Sequence, residues 1–493
     1  MFNRRQVIRA LGSTALVSAF PIQAARAAEP ALKVDSRVIE VLGKPAKVFG
    51  VTGAGGANGL MASEGDRLSG ALLNATTDPL VMHWHGQIHA PENQDRARPG
   101  GGELIAGGID MHDFLLTPGT HWTHSHQLSE QQLLAAPMIT REKSAGSTRD
   151  IVIMLHDFAF RSPAEILTEL AGPKSDVRDS THGHQPSGSG LSGSSHQQSS
   201  GMRNNGPGPM GNMQHGSMGS GMMGGAPHAN DVRYDAYLAN DRTLDDPEVV
   251  KVDAGEPLRL RIINGGTATA FFIDTGLLDA TCIAVDGTPC NPLKGRRFPL
   301  AQGQRIDLQV IVPCEGGAYP ILAQVEADRR RTGIVLTTAG ARISKIENSA
   351  QEVAANATLG LDERLRAVTP LPARKPDQTF HLMLGEEAGY RWTINGRIHG
   401  EHSPLRAKRG ERIAIMFMNP TSMMHPMHLH GHHFQVVGTR AGRFPGPMRD
   451  TVIVPPHTPV IVEFDADKTG SWYLHCHHLY HMATGMMTEI HVS

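Results

Sequence analysis

No apolar run in the chain reaches the roughly 20 residues that a bilayer-spanning helix needs, so no stable membrane insertion is expected. No basic patch stands out either, and the formal net charge is −2, which argues against nucleic acid as a partner. Cysteine is scarce: Cys282, Cys290, Cys314 and Cys476 are the whole set. Cys282 and Cys290 flank an expected turn, Asp286 to Pro289, and either close a local disulfide in an oxidising compartment or are buried as small apolar residues, the reading that also fits Cys314. Tyr and Trp are few, six and four, whereas there are 27 His and 22 Met. Imidazole and thioether are copper-selecting ligands, so the composition points to a metal.

Residues 1–27 read as an export signal. Arg4 and Arg5 lie in a polar stretch, an apolar run from Ala10 to Phe20 follows, and Ala25, Arg26, Ala27 form a small-residue cleavage site. Paired arginines favour the twin-arginine route, which carries folded proteins; an ordinary secretory signal is the alternative. Either route implies a periplasmic protein. The signal holds four Arg and no acids, so its removal moves the net charge from −2 to about −6.

The mature chain is too long for one core and is expected to hold several domains. Period-two alternation marks half-buried strands: Leu258, Leu260 and Ile262 against Arg259 and Arg261; Ile306, Leu308, Val310 and Val312; Val460, Val462 and Phe464 beside Glu463. Helical signals are few. A capping box at Ser162 to Glu165 with Pro163 opens one short helix, and a second box at Ser129 to Gln132 predicts another beyond His126. The class is therefore all-β. From 175 to 230 the composition shifts to Gly, Ser, Pro, Asn, Met and His, which cannot bury a core and is expected to be a disordered insertion. The remaining length divides into three β-sandwich domains at 28–174, 231–354 and 375–493, with a linker at 355–374.

Four times the chain sets two His two residues apart: His83 and His85, His124 and His126, His428 and His430, His475 and His477. On a strand, i and i+2 share a face about 6.6 Å apart, so each pair offers two imidazoles to one side. Eight imidazoles divide as three, three and two over three metal ions. Cys476, between His475 and His477, must point to the opposite face and serve another site. With His425, His481 and Met486 it supplies one thiolate, two imidazoles and a weak axial thioether, the ligand set of a blue copper centre.

The motifs His83-Trp84-His85-Gly86, His124-Ser125-His126, His425-Pro426-Met427-His428-Leu429-His430-Gly431 and His475-Cys476-His477, with His481 and Met486, resemble the multicopper oxidases. Gly119-Thr120, Arg449-Asp450-Thr451, Pro455-Pro456 and Gly470-Ser471-Trp472 match as flanks, and Arg261 to Asn264 and Asp286-Gly287 match more loosely in the middle domain. The resemblance implies three cupredoxin-like Greek-key domains and four copper ions. One is a blue type 1 ion in the third domain; one type 2 ion and a type 3 pair lie between the first and third. Leu479-Tyr480-His481-Met482 and Gly485-Met486 look more like bacterial copper-resistance oxidases than fungal or plant laccases. The same resemblance makes Asp95 the candidate proton-delivering acid, although Asn93-Gln94-Asp95-Arg96 departs from the usual Asp-Gly form; a surface Asp is the alternative. His432, His433 and His478 adjoin ligands but fall outside the motif positions, and are expected to support ligands or face solvent.

Between Met202 and Met223 lie six Met, with His182, His184, His196, His215 and His228 around them, a soft-ligand stretch suited to Cu(I). The expected reaction is four one-electron oxidations coupled to reduction of dioxygen to water, with Cu(I) as the substrate, by a monomer active in copper tolerance. The alternatives are a laccase-like oxidase of phenols or of Mn(II) or Fe(II), and a non-catalytic periplasmic copper store or carrier.

Overall fold

The structure, a computed structural model, describes residues 31–172 and 229–493. The leader lies outside them, as does the Met- and His-rich stretch apart from Ala229 and Asn230.

Strands dominate, as the alternating pattern requires, and they form sheets packed in pairs. In the first pair, a sheet of Lys44–Gly53, Leu32–Val41, Arg67–Asn74 and Ile109–Leu115 packs on one of Leu60–Ser63, Ala135–Arg141, Gly119–Ser125 and Met82–His85. Leu32, Val34, Leu68 and Leu72 from one side meet Met82, Trp84, Ala136 and Met138 from the other in a single core. In the last pair the inner sheet runs Leu405–Ala407, Met487–Val492, Gly470–Cys476, His425–Leu429, Thr451–Val454. Strands far apart in sequence thus become neighbours, as in Greek-key sandwiches. The architecture is all-β and cupredoxin-like.

The middle pair contains strand Arg149–Phe158, which runs parallel to Pro257–Asn264, with Leu258 opposite Arg149. Hydrogen bonding therefore ties the end of the first block into the second. Strand Pro257–Asn264 is not half-buried, as its alternation suggests, but buried on both faces from Leu258 onward. Arg259 and Arg261 are covered because Glu142 and Asp150 of the first block and Asp307 of the neighbouring strand neutralise them. Glu463 is likewise buried, against Arg412 and Arg443. A polar residue on an alternating strand does not mark a solvent face when a counter-charge is available to cover it.

Helix Pro163–Ala171 carries the expected capping box: Ser162 Oγ accepts from Glu165 N, and the Glu165 carboxylate accepts from Ser162 N. The second predicted helix is a single 3-10 turn, Leu128–Gln132, with no side-chain cap; Ser129 lies inside it and bonds Ser125 instead. Cys282 and Cys290 are buried with their sulfurs 3.8 Å apart and free, whereas Cys314 is exposed, contrary to the burial expected of it. No described helix is long and apolar enough to cross a membrane.

Candidate metal centre

All eight paired histidines converge. Strands Met82–His85 and Gly119–Ser125 pair antiparallel with His83 opposite His124, and His425–Leu429 and Gly470–Cys476 pair with His428 opposite His475. Within the motifs the ring centroids are 5.5 Å (His83/His85), 6.3 Å (His124/His126), 4.9 Å (His428/His430) and 5.8 Å (His475/His477) apart. Those spacings follow from the strand repeat. His126, His430 and His477 each sit one residue past the end of their strand.

The nitrogens can be divided into a pair and two trios, with a nitrogen of His85 also within 4.8 Å of the pair. His83 Nε2 lies 3.2 Å from His428 Nε2. His85, His124 and His477 offer nitrogens within 4.8 Å of one another, and so do His126, His430 and His475. In the second trio, His475 Nε2 is 3.2 Å from His126 Nε2 and 3.0 Å from His430 Nε2. Both trios and the pair draw on motifs from the first and last sandwiches, so the site exists only where these two meet.

The opposite ring nitrogens are held by the protein, which fixes which nitrogen faces inward. His83 Nδ1 is 2.7 Å from Asp95 Oδ2 and His124 Nδ1 is 3.0 Å from Glu130 Oε2. His428, His430 and His475 turn Nδ1 to the backbone oxygens of Asp450, Ala97 and Cys476. His85 is reversed: its Nε2 is 3.0 Å from Asp450 Oδ1, leaving Nδ1 to face His124. Asp450 is in turn gripped by Arg305, at 2.7 and 2.6 Å, on a strand of the middle sandwich. Gly86 makes that approach possible, since at φ +82° a Cβ there would collide with the His121 ring and the Arg305 guanidinium.

The chemistry of these donors fits a metal. Burial, reinforced by the neighbouring imidazoles, holds His83, His85, His126, His430, His475 and His477 well below their ordinary value, and His428 is lowered to about 4. The rings are therefore neutral, the form that ligates. His477 Nε2 is buried with no hydrogen-bond partner, an orphan that a bound cation would satisfy.

On the other face of strand Gly470–Cys476, Cys476 Sγ lies 3.6 Å from His425 Nδ1 and 3.7 Å from His481 Nδ1, which are 3.2 Å from each other. All three are buried. Met486 is buried beside them, its backbone bonded through Cys476 N to Met486 O and Met486 N to His481 O. Burial pushes the Cys476 thiol up, so its proton leaves only when a cation takes its place. Two imidazoles, a thiolate and a thioether are a copper-selecting set.

Several site residues had no signature in the sequence. Arg305 belongs to no quoted motif, Glu130 was visible only as an inner residue of the Ser129 to Gln132 capping box, and Asp450 only inside Arg449-Asp450-Thr451. Asp231 lies 3.7 Å from His481 Nε2 and 3.2 Å from His478 Nε2, and accepts a 2.5 Å bond from Tyr390 Oη. Burial opposes its charge, but His478 and His481 outweigh it and hold this carboxyl well below the usual range. His478 stacks on His481 at 3.7 Å and Trp392 stacks on it at 3.8 Å. His432 is buried with Asp467 at 3.6 Å, and His433 is 3.6 Å from Asp450. Asp95 is no surface residue: it is buried against His83, and burial raises its carboxyl to about 8.

Comparisons with known proteins agree with this geometry. Family models described as multicopper oxidase match residues 197–343 and 372–493. The chain is 30% identical over 441 residues to multicopper oxidase MmcO of Mycobacterium tuberculosis, covering 87% of this chain and 80% of that protein. It is 25% identical to copper resistance protein A of Escherichia coli, covering 87% and 86%. Among solved structures, it superposes on Fet3p, a multicopper oxidase that functions in iron import, with a TM-score of 0.73 at 15% identity over 94% of this chain and 90% of that one. With a relative at this identity spanning most of both chains, and with paired histidines and a thiolate site assembled as described, the protein belongs to the multicopper oxidase family, whose members are copper-dependent oxidases.

Proposed function

We propose that the protein is a periplasmic cuprous oxidase that protects against copper. One type 1 ion would be held by His425, Cys476, His481 and Met486, a type 2 ion by His83 and His428, and a type 3 pair by the trios His85, His124, His477 and His126, His430, His475. Copper at these sites supplies one-electron redox chemistry, four electrons for each dioxygen reduced to two waters. The chain's own part is positional. Cys476 is joined by one peptide link each to His475 and His477, a short covalent route between the two centres. Asp95, Glu130 and Asp450 fix the tautomers of His83, His124 and His85, and the buried walls keep the imidazoles neutral. Asp95, whose carboxyl burial raises and which lies against His83, is the candidate proton donor to oxygen.

One observation carries the choice of Cu(I). The stretch with six Met between 202 and 223 ends in sequence at Asn230, and the next residue, Asp231, touches His481, the blue-site ligand whose second nitrogen faces away from Cys476. A soft-ligand segment is thereby tethered at the point where electrons enter. Oxygen uptake by the copper-loaded protein, offered Cu(I), a phenol, Mn(II) and Fe(II) separately, tests the reading. The highest kcat/KM is expected for Cu(I). Preference for a phenol, Mn(II) or Fe(II) would replace it with a laccase-like or other metal-oxidising enzyme, and no catalytic uptake would leave a copper carrier.

A further inference from the structure

In the outer sheet of the last sandwich, strands Gln378–Glu387 and Arg412–Met418 lie side by side and parallel. Their alternation is regular. Leu382, Leu384, Ile413, Ile415 and Phe417 enter the core, so His381, Met383, Met416 and Met418 point the other way, to the surface. His381 and Met383 are exposed, Met383 to 40%, and Met416 and Met418 are half-buried. The register sets His381 opposite Met416 and Met383 opposite Met418. Partners on neighbouring strands share a face about 4.8 Å apart, and residues two apart along a strand about 6.6 Å, so one imidazole and three thioethers spring from the corners of a small rectangle. Asn395, at φ +54°, pins its edge: Oδ1 accepts from Met383 N at 2.7 Å, Nδ2 donates to His381 O at 3.2 Å, and Asn395 N donates to Met383 O at 2.7 Å.

The same face is ionic at its other end, where Arg412 stands opposite Asp465 and where Glu463, opposite Ala414, is neutralised by Arg412 and Arg443. Ion pairs thus give way to thioethers along one pair of strands. A thioether side chain has three rotatable bonds and a polarisable sulfur, so neighbouring ones can turn toward one ion. Three thioethers and an imidazole select a soft monovalent cation, whereas hard divalent cations require oxygen donors. His425 and Cys476 belong to the opposite sheet of this sandwich, and packed sheets stand about 10 Å apart, so an ion on this outer face is off the route into the blue site. We propose that His381, Met383, Met416 and Met418 form a surface site for a soft monovalent cation, Cu(I) or Ag(I), separate from the proposed copper centres. The site retains its ion without a change of oxidation state and is independent of the cuprous reading above.

Ag(I) is a redox-inert probe for the full-length, copper-loaded protein in chloride-free buffer. Diethyl pyrocarbonate acylates accessible imidazoles, and peptide mass spectrometry reads each one separately. Ag(I) is expected to protect His381 while leaving the exposed His89 of the first block reactive. Combining Met383→Leu, Met416→Leu and Met418→Leu retains apolar volume, and should raise the Ag(I) concentration that half-protects His381 by about tenfold or more. In the reciprocal measurement, Ag(I) should shield Met383 from oxidation by hydrogen peroxide, and less so in His381→Ala. Visible absorption is recorded for each form to verify that the type 1 copper is present, and turnover should be the same in all of them. If Ag(I) leaves His381 as reactive as His89, or protects it equally in the triple variant, these methionines are apolar surface and the site is wrong. Failure of Cu(I) turnover in the oxygen-uptake assay would sink the cuprous reading alone, because protection, not oxidation, reports on this site.

Discussion

Cys476 occupies two places through one backbone, its sulfur against His425 and His481 and its neighbours in the group of paired histidines. Cys476→Ser removes the thiolate that gives a blue centre its intense visible absorption, and should stop turnover while cluster copper stays bound; a variant that remains blue would refute the assignment. Met486→Leu should be milder, raising the type 1 potential, since the axial thioether mainly tunes it. An unchanged potential would remove Met486 from the ligand set. Away from the metals, Glu326 is buried with one backbone bond, from Ala357 N at 2.6 Å, and burial raises its carboxyl from 4.5 to about 7. The folded state therefore holds a proton that the unfolded chain releases near 4.5. Its contribution is fully present below pH 4.5 and is lost as pH rises through about 7, on the order of 3 kcal/mol in all. Glu326→Gln keeps an oxygen for Ala357 and should flatten that slope in denaturant midpoints from pH 5 to 8; identical slopes would show that Glu326 is not the group responsible.

At the scale of elements, the middle sandwich supplies none of the proposed copper ligands, yet strand Arg305–Ile311 reaches the site through Arg305, which braces Asp450 and, through it, His85. Arg305→Met leaves the Asp450 carboxylate buried without its counter-charge, which should cost about 3–5 kcal/mol and lower the copper content of the cluster. Urea midpoints and metal analysis measure both, and a stable variant with full copper would show the brace to be dispensable. This pairing also marks the limit of what could be read beforehand. The four His-x-His motifs were legible because strand geometry is local: residues two apart share a face whatever surrounds them. The link of His85 to Asp450 spans 365 residues and has no local signature. Arg259 and Arg261 were legible as strand residues but misread as facing water, because the acids covering them come from the first block and a neighbouring strand. Ser129 was misread as a cap for the related reason that Ser125 claims its hydroxyl.

For the whole molecule, composition and motif order were enough to expect an all-β chain with copper chemistry between its two ends. The pair His83 with His428 and the contact of His126 with His475 bring those ends together across more than 340 residues. The surroundings of the thiolate site were not legible, because Asp231 and Tyr390 are brought to His481 only by the fold. Asp231, the residue after the Met- and His-rich stretch, lies at His481, so if that stretch captures a metal ion, chain connectivity would keep the ion near the blue site. Its effective concentration there would then be set by the length of that connection instead of by diffusion from bulk. Deleting residues 201–225, which contain all six of those Met, while leaving Asp231 in place should raise KM for Cu(I) and weaken copper protection in cells. Oxidation of a phenol, which gains nothing from thioethers, should be unchanged or faster. The comparison separates capture from catalysis, because the blue absorption and the copper content should match those of the intact protein. Equal Cu(I) kinetics in the two forms would make the stretch a linker only.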